Sequence, residues 1–444
     1  MDMVSCGFLN TLEESLKEGK VTEEQINAAC RRVLEAKYKL GLFSDPYKYC
    51  DTLRVEKELY TTAHRAVARE IAAETFVLLK NEDHLLPLER KGKIALIGPM
   101  ADARNNMCGM WSMTCTPSRH GTLLEGIRSA AGDKAEILYA RGSNIYHDAE
   151  LEKGGAGIRP LERGNELQLL DEALHTAARA DVIVAALGEC AEMSGESASR
   201  TELGIPDAQQ DLLKALVKTG KPVVLLLFTG RPLVLNWEDA NVHSILNVWF
   251  GGSETGDAIA DVLFGKVTPG GKLTTTFPRS VGQLPLYYNH LNTGRPDPDS
   301  HSFNRYSSNY LDMSNEPLYP FGYGLSYTNF SYGNLQLSSD VLSRNGELTV
   351  SVTVTNDGDF DGYEIVQMYL HDIYAEISRP VKELKGFERI FLKKGESREV
   401  KFVITEDDLR FYNSGLQYVY EPGEFDVMVG ANSRDVQTER FRAD

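Results

Sequence analysis

The segment Gly188-Glu-Cys-Ala-Glu-Met-Ser-Gly-Glu-Ser-Ala-Ser-Arg-Thr-Glu-Leu203 crowds ionisable side chains directly behind the run Asp181-Val-Ile-Val-Ala-Ala-Leu187. Glu189, Glu192 and Glu196 are carboxyls on a polar loop, with Arg200 close behind them. A carboxyl can move protons in catalysis when burial or a neighbouring negative charge raises its pKa toward neutrality. Left in water it is an ordinary solvated side chain, and spacing alone does not separate the two readings of Glu196. Glu189, at the strand end itself, reads as structural. Glu192 could contact a ligand. Arg200 either holds a loop carboxylate in place or binds a substrate.

Other patterns lose their chemistry on inspection. Gly251-Gly-Ser-Glu-Thr-Gly256 precedes a helix but lacks the lysine of a phosphate-binding loop and the spacing of a dinucleotide fingerprint, so it reads as a packing turn. Ser118-Arg-His120 is no hydrolase triad, because no Gly-x-Ser-x-Gly elbow is present. The cysteines Cys6, Cys30, Cys50, Cys108, Cys115 and Cys190 contain no Cys-x-x-Cys pair. Cys108 and Cys115 are close enough to bridge, although free buried thiols are the simpler expectation. The nine histidines show no paired spacing, and neither a metal nor a cofactor is expected. A net charge of -17 argues against a nucleic-acid partner, which would want a basic footprint. No stretch reaches the ~18 apolar residues of a membrane span. The opening Met1-Asp-Met-Val-Ser-Cys-Gly-Phe has no basic, apolar leader character and is not expected to be a signal peptide.

The elements that must position the loop come next. A length of 444 residues implies two or three cores. Residues 9–42 read as two helices, the second opened by the capping-box pattern Thr22-Glu-Glu-Gln25. Residues 44–60 read as a linker, and an alanine-rich helix is expected from about 60 to 80. Short apolar strands then alternate with helices: Lys93–Ile97, Ala135–Tyr139, Asp181–Leu187, Lys221–Phe228 and Ser244–Trp249, with helices over Leu167–Ala178, Asp207–Thr219 and Thr255–Phe264. This alternation implies a mostly parallel sheet covered on both faces, over residues 61–280. Ligands collect at the carboxyl ends of such strands, which here are polar and glycine-rich. Residues 281–335 form a long aromatic-rich connection. From 336 to 444, period-two runs such as Glu347–Thr355 predict an all-β sandwich.

Several segments, in this order, resemble the C-terminal half of glycoside hydrolase family 3 β-glucosidases. They are Lys37-Tyr-Lys-Leu-Gly-Leu-Phe43, Glu74-Thr-Phe-Val-Leu-Leu-Lys-Asn81, Ile94-Ala-Leu-Ile-Gly-Pro99, Trp249-Phe-Gly-Gly-Ser-Glu-Thr-Gly256, Pro269-Gly-Gly-Lys-Leu-Thr-Thr-Thr-Phe-Pro278, Tyr319-Pro-Phe-Gly-Tyr-Gly-Leu-Ser-Tyr-Thr328 and Ser378-Arg-Pro-Val-Lys-Glu-Leu-Lys-Gly-Phe387. The resemblance implies a (β/α)8 barrel, then an α/β sandwich domain, then a fibronectin type III-like domain. Residues 1–43 correspond to the last barrel helices, and most of the barrel is expected to be absent from this chain.

The resemblance also implies a chemistry. Retaining glycosidases use two carboxyl groups about 5–5.5 Å apart. Ser194-Gly-Glu-Ser-Ala-Ser-Arg200 is similar to the family's acid/base motif, which assigns Glu196 as general acid/base. The family's nucleophile lies in a Ser-Asp-Trp motif that this sequence does not contain. Trp111, in Gly109-Met-Trp-Ser112, could stack on a sugar ring, a core position being the competing reading. Trp111 and Arg200 are thus the candidate substrate-binding residues. The implied function is hydrolysis of terminal β-D-glucosyl residues from small glycosides or oligosaccharides, with β-xylosides a close variant. The alternative is a non-catalytic fragment acting as a carbohydrate-binding or assembly module. Homo-oligomers are left open, and the resemblance points to a periplasmic or secreted setting.

Overall fold

A computed structural model describes residues 2–112, 115–152, 161–296 and 304–444. The chain divides into two compact units, Met1–His64 and Arg65–Asp444. The first holds helices α1 (Gly7–Lys17), α2 (Glu23–Lys39) and α3 (Arg54–Glu58), the last inside the stretch expected to be a linker. The capping box forms as the sequence pattern predicts: Gln25 N–H donates to Thr22 Oγ1 at 3.2 Å, and Thr22 N–H donates to Gln25 Oε1 at 2.9 Å. None of these three helices buries a residue. Phe8, Leu9, Val33 and Leu34 stay exposed.

Helix α4 (Thr62–Thr75) leads into the second unit and corrects the sequence expectation. It ends at Thr75, not near residue 80, and Val77–Asn81 becomes strand β1. Phe76-Val-Leu-Leu is a short apolar run whose period does not separate a buried helix from a strand. Long-range pairing with a strand near residue 245 decides in favour of the strand.

Then follow β2 (Lys93–Ile97), α5 (Leu123–Ala131), β3 (Glu136–Ala140), α6 (Glu166–Ala178), β4 (Val182–Gly188), α7 (Asp207–Val217), β5 (Val223–Phe228), α8 (Asn236–Asn241), β6 (Ser244–Asn247) and α9 (Thr255–Leu263). The strands form one sheet in the order β1-β6-β5-β4-β2-β3, parallel except for β1, which runs antiparallel to β6 at the edge. Every residue of β5 is buried. Alternate residues of β4 serve two cores: Val184 and Ala186 face α5 and α9, while Ile183, Ala185 and Leu187 face α6 and α7. Each large apolar side chain sunk this way contributes about 1.5–3 kcal/mol. The Gly251–Gly256 turn is a packing device, as the sequence reading has it. A Cβ on Gly256 would stand 2.4 Å from the Thr122 carbonyl, so α9 closes onto α5 only because glycine is there.

The connection after β6 is built of aromatic clamps. Leu325 N–H donates to Leu78 O at 2.8 Å, and the buried Tyr327 hydroxyl donates to Val262 O at 2.8 Å. The all-β part starts inside the stretch read as connection, at β7 (Phe330–Tyr332). It continues with β8 (Gln336–Leu337), β9 (Val341–Leu342), β10 (Leu348–Asn356), β11 (Gly362–Asp372), β12 (Glu383–Leu392), β13 (Ser397–Ile404), the single turn α10 (Glu406–Leu409), β14 (Phe411–Tyr412), β15 (Tyr418–Val419), β16 (Gly423–Gly430) and β17 (Val436–Ala443). One sheet runs β13-β10-β7 with β8 beside β10, the other β12-β11-β16-β17-β9, and both bury alternate residues in a shared core. Strand β17 carries charged outward positions, Glu439, Arg440 and Arg442, which hide its pattern from a sequence reading. Among the described residues there is no (β/α)8 barrel, and no helix is long and apolar enough to cross a membrane.

One surface cluster sets a histidine between two carboxylates. The His147 ring lies 3.1 Å from Glu166 and 3.2 Å from Asp211, with Asp207 and Arg163 binding the backbone beside it. Burial works against the imidazolium, but the two carboxylates outweigh it and hold its pKa above the ordinary histidine value. A raised folded-state pKa stabilises below the unfolded value of about 6.5 and is lost as pH rises through the folded value. His147→Gln is therefore expected to lower the melting temperature at about pH 5.5 and to match the parent at about pH 8.5, read by thermal denaturation at both pH values.

Candidate active site

The sheet has one topological switch point. From β2 the chain goes to β3 on one side and returns to β4 on the other, so the loops after β2 and β4 diverge around a crevice. Two glycines make those exits. Gly98 has φ 137° and Gly188 φ 132°, and a Cβ on either would fall within 2.1 Å of a backbone oxygen of the neighbouring strand. The first loop carries Trp111. The second carries Glu189, Glu192, Glu196 and Arg200.

Glu189 has no solvent exposure. Its Oε1 lies 2.8 Å from Arg200 Nη1 and 3.0 Å from Arg231 Nε. Its Oε2 accepts from Gly230 N–H at 2.9 Å and lies 3.0 Å from Thr229 Oγ1. Arg231 also donates to the carbonyls of Met193 and Ala198, which pins both ends of the turn between them. Arg200 donates a further bond to Gly204 O at 3.1 Å and is largely buried. Its guanidinium is committed to the loop, which is the first of the two roles open in the sequence. Arg231, Thr229 and Gly230 escaped the sequence reading, although Thr229-Gly230 was visible as a polar strand end. The buried Asn106 was missed too; its Oδ1 accepts from Ala191 N–H at 2.8 Å and ties the two loops together.

Glu196 sits at the tip of this pinned loop and is exposed. Left-handed backbone flanks it, Gly195 at φ 103° and Ser197 at φ 59°. A Cβ on Gly195 would stand 2.7 Å from Met110 Cγ and 3.6 Å from Trp111 Nε1. Trp111 therefore borders the Glu196 turn. It is 72% exposed, which removes the core reading and leaves its aromatic face open to solvent beside the turn. Cys190 is no nucleophile here, because burial pushes its thiol up to about 11. The same β2 loop brings Cys108, Cys115 and the buried His120 together, a grouping the spacing did not reveal. Cys108 and Cys115 are joined as a disulfide rather than left as free thiols. The other expected buried thiols also differ, since Cys6, Cys30 and Cys50 are exposed.

An α/β sheet with a carboxyl-bearing loop at its switch point is followed by a β-sandwich, and both parts match known domains. The glycosyl hydrolase family 3 C-terminal domain matches residues 76–327, and a fibronectin type III-like domain matches residues 364–433. The chain belongs to glycosyl hydrolase family 3. It is 46% identical to a periplasmic beta-glucosidase of Salmonella typhimurium across 99% of this chain and 58% of that protein. It is 39% identical to a beta-xylosidase of Formosa agariphila across 96% of this chain and 56% of that one. The beta-glucosidase of Listeria innocua, solved in complex with isofagomine, superposes on all of this chain with a TM-score of 0.88 at 37% identity, using 59% of its own length. The chain thus spans less than three fifths of the length of each of these three relatives.

The Glu189 clamp is open to direct measurement. Removing one partner of a buried ion pair costs about 3–5 kcal/mol, because the remaining charges lose their counter-charge. Glu189→Gln is expected to lose stability on that scale in urea denaturation, while Glu192→Gln, on the same loop, changes it by less than about 1 kcal/mol.

Proposed function

We propose that this chain supplies the acid/base half of a retaining β-glucosidase, with Glu196 as the general acid/base. The observation that carries this is the position of Glu196 on a doubly pinned turn at the switch-point crevice, with the exposed face of Trp111 beside it. In the first step Glu196 donates a proton to the leaving oxygen while a carboxylate attacks the anomeric carbon, giving a covalent glycosyl-enzyme. In the second its carboxylate takes a proton from the water that attacks that carbon, and net configuration is retained. Trp111 offers a stacking surface for a sugar ring. Arg200 acts through Glu189 as a positioning residue.

The nucleophile is assigned to a catalytic barrel outside these 444 residues, since no Ser-Asp-Trp motif occurs in them. The substrate class is a terminal β-D-glucoside of a small glycoside or oligosaccharide. β-Xylosides are the second reading, supported by the beta-xylosidase among the relatives. A periplasmic or secreted setting is supported by the relative so named.

The test uses this chain alone and this chain fused behind the barrel of the Salmonella relative, with 4-nitrophenyl β-D-glucoside. The fusion is expected to turn over and the chain alone to be inert. Glu196→Ala in the fusion should lower turnover about 10²–10⁴-fold, and azide should restore it as the β-glycosyl azide. Turnover by the chain alone that is lost in Glu196→Gln would place the nucleophile within these residues and overturn the assignment. An unaffected Glu196→Ala fusion would remove Glu196 from catalysis.

A further inference from the structure

The β2 loop holds a cluster that the proposed reaction does not use. One ligand-type atom from each of Cys108, Cys115 and His120 lies within 4.8 Å of the others. The His120 Nε2 is 3.7 Å from Cys108 Sγ. Its Nδ1 is 3.2 Å from the Gly121 carbonyl, a contact that needs the proton on Nδ1 and leaves the Nε2 lone pair facing the sulfurs. The histidine is 4% exposed, and its carbonyl accepts from the Arg104 guanidinium, so ring and backbone are fixed before any ligand arrives. Arg65 likewise donates to the Arg119 carbonyl. A buried imidazole with one nitrogen satisfied by a carbonyl and the other turned to two sulfurs is the arrangement of a metal ligand with its outer support.

We propose that Cys108, Cys115 and His120 are a thiol-gated metal site: once the disulfide is reduced, the two thiolates and His120 Nε2 bind one zinc-class divalent cation. An external dithiol supplies the two electrons. It reduces Cys108–Cys115 to two thiols and leaves as its own cyclic disulfide. Each thiol then loses a proton as the cation binds. On one tetrahedral zinc the two sulfurs stand about 3.8 Å apart at Zn–S bonds of about 2.3 Å. The Cα atoms, 6.5 Å apart, already allow that separation without moving the backbone. Two thiolates and an imidazole select zinc, or cobalt as its probe, over magnesium and calcium. Cys108 and Cys115 are only partly buried, so the fourth position is open to water. The span they close contains Trp111, so either cross-link keeps that side chain beside the Glu196 turn. The metal thereby preserves in reducing conditions what the disulfide preserves in oxidising ones.

The test is cobalt titration of the full chain carrying Cys6→Ser, Cys30→Ser and Cys50→Ser, which removes the exposed thiols. Reduced with a dithiol that is then removed, it should bind one cobalt ion per chain with thiolate-to-cobalt charge-transfer bands and a tetrahedral d–d pattern. Oxidised, it should bind none. His120→Ala should weaken binding by roughly tenfold or more, read by zinc competition with a chromogenic chelator. Absence of the thiolate bands from the reduced parent overturns the proposal whatever the variants do. So does a folded His120→Ala chain that binds as tightly as the parent.

Discussion

The switch-point end of the α/β sheet rests on one buried carboxylate. Glu189 has no access to water, and an isolated charge there would cost several kcal/mol. Arg200 from its own loop and Arg231 from the loop after β5 offset that cost, together with the Gly230 amide. Each partner is drawn toward the same point, so two loops from adjacent strands acquire a fixed relation. Asn106 extends the relation to the loop after β2 by accepting from Ala191 N–H. The position of Glu196 follows from these ties. An exposed side chain on a free loop would sample many placements, whereas this one stands on a turn whose two ends are held by Arg231.

Glycine is used in this region to let chains touch. Gly98 and Gly188 leave their strands where a side chain would strike the neighbouring backbone, and Gly195 approaches Met110 within a distance that no Cβ allows. The close approach at Gly195 brings an exposed tryptophan against the Glu196 turn. The result joins a rigid, charge-pinned base to a working surface that stays open to solvent. The buried Tyr327 packs the connection onto α9, and the Lys272–Glu364 ion pair at 3.1 Å ties it to the β-sandwich.

The β2 loop adds a second constraint of a different kind. Covalent closure between Cys108 and Cys115 reduces the freedom of the segment bearing Trp111, while hydrogen bonds from Arg104 and Arg65 hold the backbone at its far end. Side chains outside the Glu196 turn thus set where the aromatic face stands. The acidic balance of the chain, -17 overall, has no role in these local ties and is consistent with a neutral substrate.

Local signals in the sequence determined the alternation of buried strands and helices, the switch to period-two strands after about residue 346, the Thr22–Gln25 cap and the glycine-rich strand ends. Each depends on periodicity or on neighbours a few residues away. The family motifs, together with the polar loop after Asp181–Leu187, also singled out Glu196. Tertiary structure alone decided that Val77–Asn81 is a strand, because its partner β6 lies far away in sequence. It alone made Arg200 a partner of Glu189 and recruited Arg231, since burial of a charge is settled by which chains surround it. It also brought Trp111 to the Glu196 turn and His120 to the two sulfurs. Those meetings depend on loop paths across a sheet, and no spacing in the sequence encodes the distance between side chains on loops that leave different strands.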